Sequence, residues 1–295
     1  MKRLSTALLA AVAFATAASA QTAPEWFVRG RALMDSNKAD DAAKAFEHAV
    51  KLNDTSSTYH LWLANALGTV AQKSNFLKQG MIAPRIKREM ERARDLDPKS
   101  IEAHDGLMQY YLQAPGIAGG SVTKARAEAA EIAKLDPLQG HFASVTIAQH
   151  EKDSVAMERE LRAAIADRPD SVTAYVQLTF FLQRTNRVSE AWATIDQWVA
   201  RRPDDATGMF YVGRLAGATG EQLDRGEKSL RAFLALKPDP ADKNRPGLAI
   251  GHARLGDVLA KKSAYADARA EYELALKLTP TLDAAKTGLK QISGK

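Results

Sequence analysis

Apolar side chains recur every three or four residues through most of this chain, the spacing that lines one face of an α-helix. Trp26, Gly30 and Leu33 form one such series, and Ala42, Phe46 and Ala49 form the next, with a polar turn between them. Tyr175, Leu178 and Leu182, followed by Ala191, Ile195 and Trp198, repeat the arrangement. The pattern predicts pairs of amphipathic helices joined by short turns.

A second regularity marks where the pairs end. KLND (51–54), DLDP (95–98), KLDP (134–137), DRPD (167–170), RRPD (201–204), LKPD (236–239) and KLTP (277–280) all close helical stretches. A proline pushes the preceding residue out of the helical region, so each phrase stops one helix. The acidic or hydroxyl residue that follows is suited to cap the next. From Pro169 to Pro203 the interval is 34 residues.

That interval, together with its residue pattern, resembles the tetratricopeptide repeat, a helix-turn-helix unit of about 34 residues. Small residues (Gly30, Ala42 and Ala49, or Gly256, Ala268 and Ala275) stand where two helices cross closely, and Phe46, Trp198 and Tyr272 fill the space beside them. The resemblance implies an all-α, superhelical α-α solenoid of about seven units plus a capping helix. The expected units are 23–56, 57–100, 101–139, 140–171, 172–205, 206–240 and 249–282, with the cap at 283–293. The second unit is lengthened around 72–84 and the third around 114–120, and both additions are expected as protruding loops.

Composition is most informative at the N-terminus. MKRLSTALLAAVAFATAASA has a basic start, an apolar run and Ala18-Ser19-Ala20 as a small-x-small cleavage site, which reads as a secretory signal peptide over 1–20. Cleavage between Ala20 and Gln21 would release a mature chain at 21–295 into a periplasm, with secretion from the cell as the alternative. No later run approaches the roughly 20 apolar residues of a membrane span. The net charge of +6 is carried by dispersed residues, which argues against a nucleic-acid partner. The chain has no cysteine, which removes disulfides, thiol nucleophiles and a lipid anchor on cysteine.

Little catalytic chemistry is legible. The loop APGIAGG lacks the GxxxxGK[ST] spacing and the preceding strand of a phosphate-binding loop, so it reads as a wide turn, with Ser121 capping the next helix. Free N–H groups there, beside Lys124, leave an anion or an acidic peptide terminus as the functional alternative. His60, His104 and His252 share the fourth position of a unit's first helix, where core filling is expected rather than metal ligation. There is no HExxH, GxSxG or SxxK motif. No enzyme activity, cofactor or metal is expected.

The remaining candidate is the concave groove that the resemblance implies, lined by the first helix of each unit. Its second, fifth, ninth and twelfth positions give Phe27, Arg31, Met34, Leu61, Asn65, Asp105 and Gln109, then Val176, Phe180, Gln183, Phe210, Arg214 and Asp257. Apolar anchors interleaved with hydrogen-bonding groups suit an extended peptide or a partner helix. Some members of the family grip a terminal carboxylate with a Lys, Asn and Arg set. Only Asn65 matches any part of it, while Phe27, Leu61 and Gly106 stand where others are required. The expectation is an exported protein-interaction scaffold. The alternative is a periplasmic binder of a small molecule or a cell-wall glycan fragment.

Overall fold

The computed structural model describes residues 22–237 and 246–295. The expected leader, with Ala18, Ala20 and Gln21, lies outside the described residues, as does the end of the LKPD phrase. All regular elements among the described residues are helices. α1 (Ala23–Asp35) packs on α2 (Ala39–Leu52), and α3 (Ser57–Gln72) packs on α4 (Phe76–Leu96). α5 (Ile101–Gln113) leads through a 3₁₀ turn at Gly116–Ala118 to α6 (Val122–Leu135). α7 (Pro137–Glu151) pairs with α8 (Ser154–Asp167), and α9 (Val172–Arg184) pairs with α10 (Val188–Arg201). α11 (Ala206–Thr219) pairs with α12 (Leu223–Ala235), α13 (Leu248–Lys261) with α14 (Tyr265–Leu278), and α15 (Asp283–Gln291) packs on α13 and α14. This is an all-α fold of the α-α solenoid type. Its packing forms two compact bodies, one through Glu128 and one from Ala129.

Local chemistry explains where the helices begin and end. Ser56, Ser100 and Ser171 accept from backbone N–H groups of α3, α5 and α9, at 3.4, 3.1 and 3.3 Å. Asp205 does the same for α11 at 3.1 Å. These caps satisfy donors that the first helical turn leaves orphaned. Within the pairs, the turn is made by one residue in the left-handed region: Asn37, Lys152, Asn186 and Ser263. The N–H of the next residue then reaches back to the helix, as in Lys38 to Leu33 at 2.9 Å and Arg187 to Leu182 at 2.8 Å, which is a Schellman closure.

Close crossing within a pair depends on missing side chains. A Cβ on Gly30 would stand 2.5 Å from the Phe46 ring, and one on Gly256 would stand 2.6 Å from the Tyr272 ring. In the body through Glu128, Phe46, Leu63 and Leu67 are buried, with Phe27, Met34 and Trp62 packed against them. In the body from Ala129, Tyr175, Leu178, Trp198, Leu230, Phe233 and Tyr272 belong to one continuous core. Each large side chain so buried contributes about 1.5–3 kcal/mol relative to exposure.

A polar contact also recurs between first and second helices. His60 Nδ1 lies 2.7 Å from Glu89 Oε2, His104 Nδ1 lies 2.6 Å from Glu128 Oε2, His141 Nδ1 lies 3.0 Å from Glu160 Oε2, and His252 Nδ1 lies 2.6 Å from Glu271 Oε2. The histidines fill space, and each also pairs with a carboxylate across its helix pair.

Two sequence expectations are corrected. Residues 76–84 are not a loop: they form the first turns of α4, which is 21 residues long against 14 for α2. Asn75 caps this helix at Lys78 N, 3.0 Å away, and Ile82 and Ile86 pack on the core, so burial outweighs the helix-weakening Gly80 and Pro84. The fourth pair begins at Pro137 rather than at 140. Asp136 caps α7 by accepting from Leu138 N at 2.9 Å, and Pro137 occupies the first turn, where its missing N–H costs nothing.

Candidate functional site

In the body through Glu128, the candidate groove residues of the first pair lie against aromatic side chains of the core and of α3. Phe27 is half-buried, with ring centroids 5.0 Å from Tyr59, 5.7 Å from Phe46 and 6.0 Å from Trp62. Met34 is half-buried against the same cluster. Arg31 is exposed, and its guanidinium lies 5.3 Å from the Trp62 ring. Leu61 is half-buried and Asn65 exposed; Asp105 is exposed and Gln109 half-buried.

In the body from Ala129, side chains of α9 and α11 are in contact, and α13 packs beside α11. Val176 and Phe180 on α9 are half-buried. The guanidinium of Arg214 on α11 lies 3.7 Å from the Phe180 ring centroid, and its Nη1 donates to Gln183 Oε1 at 3.2 Å. Tyr211, which sequence periodicity did not select, is 6.0 Å from Phe180 and 5.9 Å from the Arg214 guanidinium. On α13, Asp257 accepts from Arg254 Nη1 at 2.8 Å and from the Tyr272 hydroxyl at 2.9 Å. Phe210 is placed elsewhere: only 4% exposed, it packs on Phe233 in the core, and the neighbouring Tyr211 takes the face expected for it.

The electrostatics here are unusual. Burial, and next the charge of Arg254, push the Arg214 guanidinium down to about 10. Tyr211 and Tyr272 are both raised, chiefly by burial. Stacking on an aromatic face is favourable for a guanidinium, yet it supplies no counter-charge. Arg254 was missed because a single Arg on an amphipathic helix reads as ordinary, whereas Tyr272 fills the core as expected. The i, i+3 placement of Arg254 and Asp257 on a largely apolar helix is the available signal.

The glycine loop is a tied turn. Gly119 has φ of +92°, and a Cβ on Gly120 would fall 1.8 Å from the Ala114 carbonyl oxygen. The Tyr110 hydroxyl donates to Ala118 O at 2.7 Å, and Ser121 N donates to Tyr111 O at 2.8 Å. Lys124 N donates to Ser121 Oγ at 3.3 Å, and Lys124 Nζ lies 5.6 Å from the Tyr111 ring. The lengthened α4 instead exposes Phe76, Leu77 and Met81.

Among the described residues, no three His, Asp or Glu side chains gather as a metal-holding group, and no helix is long and apolar enough to cross a membrane.

The tetratricopeptide repeat family model matches residues 26–56, which span most of α1, all of α2 and the turn that follows. No curated protein matches the chain. Among solved structures, the chain is similar to a tetratricopeptide repeat protein from Parabacteroides merdae, at 13% identity and a TM-score of 0.53, covering 93% of this chain and 100% of that one. It is also similar to yeast Tom70, at 15% identity and a TM-score of 0.60, covering 95% of this chain and 58% of Tom70. Identities this low establish fold and leave activity open. The chain thus carries a tetratricopeptide repeat at residues 26–56 and has the all-α solenoid fold of tetratricopeptide-repeat proteins.

Proposed function

We propose that this chain is an exported protein-interaction scaffold, without a catalytic step of its own, which holds an extended peptide or partner helix along α9, α11 and α13. Proteins of this fold generally act as interaction scaffolds. The reading rests on the contacts among Phe180, Gln183, Tyr211 and Arg214 on the first helices of two successive pairs, with the Arg254–Asp257 pair on α13 packed beside α11. Half-buried aromatic and arginine side chains are the types that anchor protein interfaces. The glycan reading draws less support, because Trp192 and Trp198 are buried in the core and the Phe180 ring is already covered by the Arg214 guanidinium.

Crosslinking in intact cells, followed by affinity capture, tests the proposal. Reproducible partners are expected for the unaltered chain, and their recovery is expected to fall about tenfold or more for Phe180→Asp with the fold retained. Full recovery with that variant would rule out this face. Export has its own test: the intact mass of the cellular protein is expected to correspond to a chain beginning at Gln21, and a chain retaining Met1 would refute the leader.

A further inference from the structure

We infer that the first half of α4 is a docking surface for an anionic lipid membrane. The inference goes beyond the scaffold reading, which concerns α9, α11 and α13, and does not depend on it. An uncovered apolar stripe is the first observation. Phe76, Leu77 and Met81 are 77%, 76% and 81% exposed, and among the described residues no other helix leaves three large apolar side chains exposed. With a turn of about 100° per residue, Phe76, Leu77, Gly80, Met81 and Pro84 fall within an arc of about 140°. All five are exposed. Ile82 and Ile86 occupy the opposite side and pack on the core. The helix is thus apolar on two sides, and only one of them is covered.

Charge says what covers the other. Residues 55–88 contain no Asp or Glu, although the chain has 35 of them, and they carry Lys73, Lys78, Arg85, Lys87 and Arg88. Arg85 and Lys87 are half-buried and keep Glu47 and Glu91 as partners. The others are held loosely. Lys73 donates to the neutral amide oxygen of Asn37 at 2.6 Å, and Lys78 meets Asp40 at 3.6 Å with both side chains more than half exposed. Arg88 is 70% exposed beside Glu89, whose other oxygen holds His60. Pairs so exposed contribute little and yield readily to another anion. A helix with Phe, Leu and Met on one arc and Lys and Arg beside it suits the interfacial layer of a bilayer, with the apolar side chains among the acyl chains and the cations at the phosphates. α4 is not long and apolar enough to cross a bilayer, so it would lie on the surface. A bilayer accepts side chains that stand out from a protein, whereas a protein partner would need a pocket for each anchor. The cations beside the stripe make the favoured surface an anionic one.

Flotation of the full chain with vesicles tests this, using phosphatidylcholine alone and equal parts of phosphatidylcholine and phosphatidylglycerol. The chain is expected to bind the anionic vesicles at least about tenfold more tightly than the neutral ones. Joint replacement by Phe76→Gln, Leu77→Gln and Met81→Gln is expected to weaken that binding about tenfold or more, with the thermal melt unchanged because the three positions are exposed. The chain has no cysteine, so Leu77→Cys and Ala193→Cys each accept a single nitroxide label. With anionic vesicles, the label at 77 is expected to be shielded from a water-soluble relaxation agent, and the label at 193 is expected to stay accessible. This comparison decides the matter even if the triple variant melts early. No binding to either vesicle, equal binding to both, unchanged binding by the folded triple variant, or a fully accessible label at 77 would each overturn the assignment. Loss of a crosslinked protein by the triple variant, without any vesicle binding, would also overturn it and make the stripe a protein interface. The Phe180→Asp capture experiment decides the scaffold reading separately.

Discussion

His60 Nδ1 lies 2.7 Å from Glu89 Oε2, and Nε2 of the same ring lies 2.9 Å from the Asp54 carbonyl oxygen, with both side chains buried. Both ring nitrogens thus face acceptors, one on the paired helix α4 and one in the turn before α3. Removing one partner leaves a buried carboxylate whose remaining neighbour is Arg88 Nη2 at 3.4 Å. We predict that His60→Leu lowers stability to urea by about 3–5 kcal/mol. Lys44→Ala, which breaks an exposed pair with Asp41, is expected to cost less than about 1 kcal/mol. Equal effects of the two changes would deny the buried pair its role.

Glycines separate into two classes by what a Cβ would meet. At Gly256 it meets the Tyr272 ring at 2.6 Å, so Gly256→Ala is expected to cost about 1–3 kcal/mol through overpacking. At Gly80, inside α4, nothing lies within 4 Å. Gly80→Ala is therefore expected to stabilise by about 0.5–1 kcal/mol, because alanine favours the helix. Chemical denaturation of the two variants checks both signs.

Acid should weaken the body from Ala129 through specific pairs. Arg187 holds Glu158 and Glu190 below the usual carboxylate range, and Lys262 does the same for Asp224 and Glu227. A depressed folded value means that the unfolded chain takes up protons first as pH falls. Their contribution is therefore complete above the ordinary carboxylate range of about 4 and is lost as pH drops through it towards the lower folded values. We expect the melting temperature to fall below about pH 5, and Arg187→Ala to flatten that fall. An unchanged acid limb in the variant would contradict this account.

The tied loop at 114–120 should matter to stability and not to binding. Gly120→Ala places a methyl group 1.8 Å from the Ala114 carbonyl oxygen, so the turn must open. Tyr110→Phe removes the 2.7 Å bond to Ala118 O, at an expected cost of about 0.5–1.5 kcal/mol. Thermal melts are expected to drop for both variants, with partner recovery unchanged. Lost recovery at full stability would move function into the loop.

The helix pairs were legible because their signals are local. A stop phrase followed by Ser56, Ser100, Ser171 or Asp205 states the cap in sequence, and the structure uses each of them. The start of α7 was misplaced because Pro137 reads as a stop when it follows a helix and as a first-turn residue when Asp136 caps it. α4 was misread because Gly80 and Pro84 are visible in sequence, whereas the packing of Ile82 and Ile86 on the core is not. The face was legible only to within one position, since neighbouring helical residues point about 100° apart. Tyr211 takes the place expected of Phe210 for that reason. Arg254 was illegible because its effect on Arg214 depends on two helices being packed together.

Site-specific photo-crosslinking in the native cell locates the partner on the helix surface. A photoreactive residue at Gln183 on α9 reports the proposed face, and one at the exposed Ala193 on α10 reports the second helix of the same pair. A discrete protein adduct is expected from position 183 and none from position 193. Adducts from 193 alone would contradict the proposal.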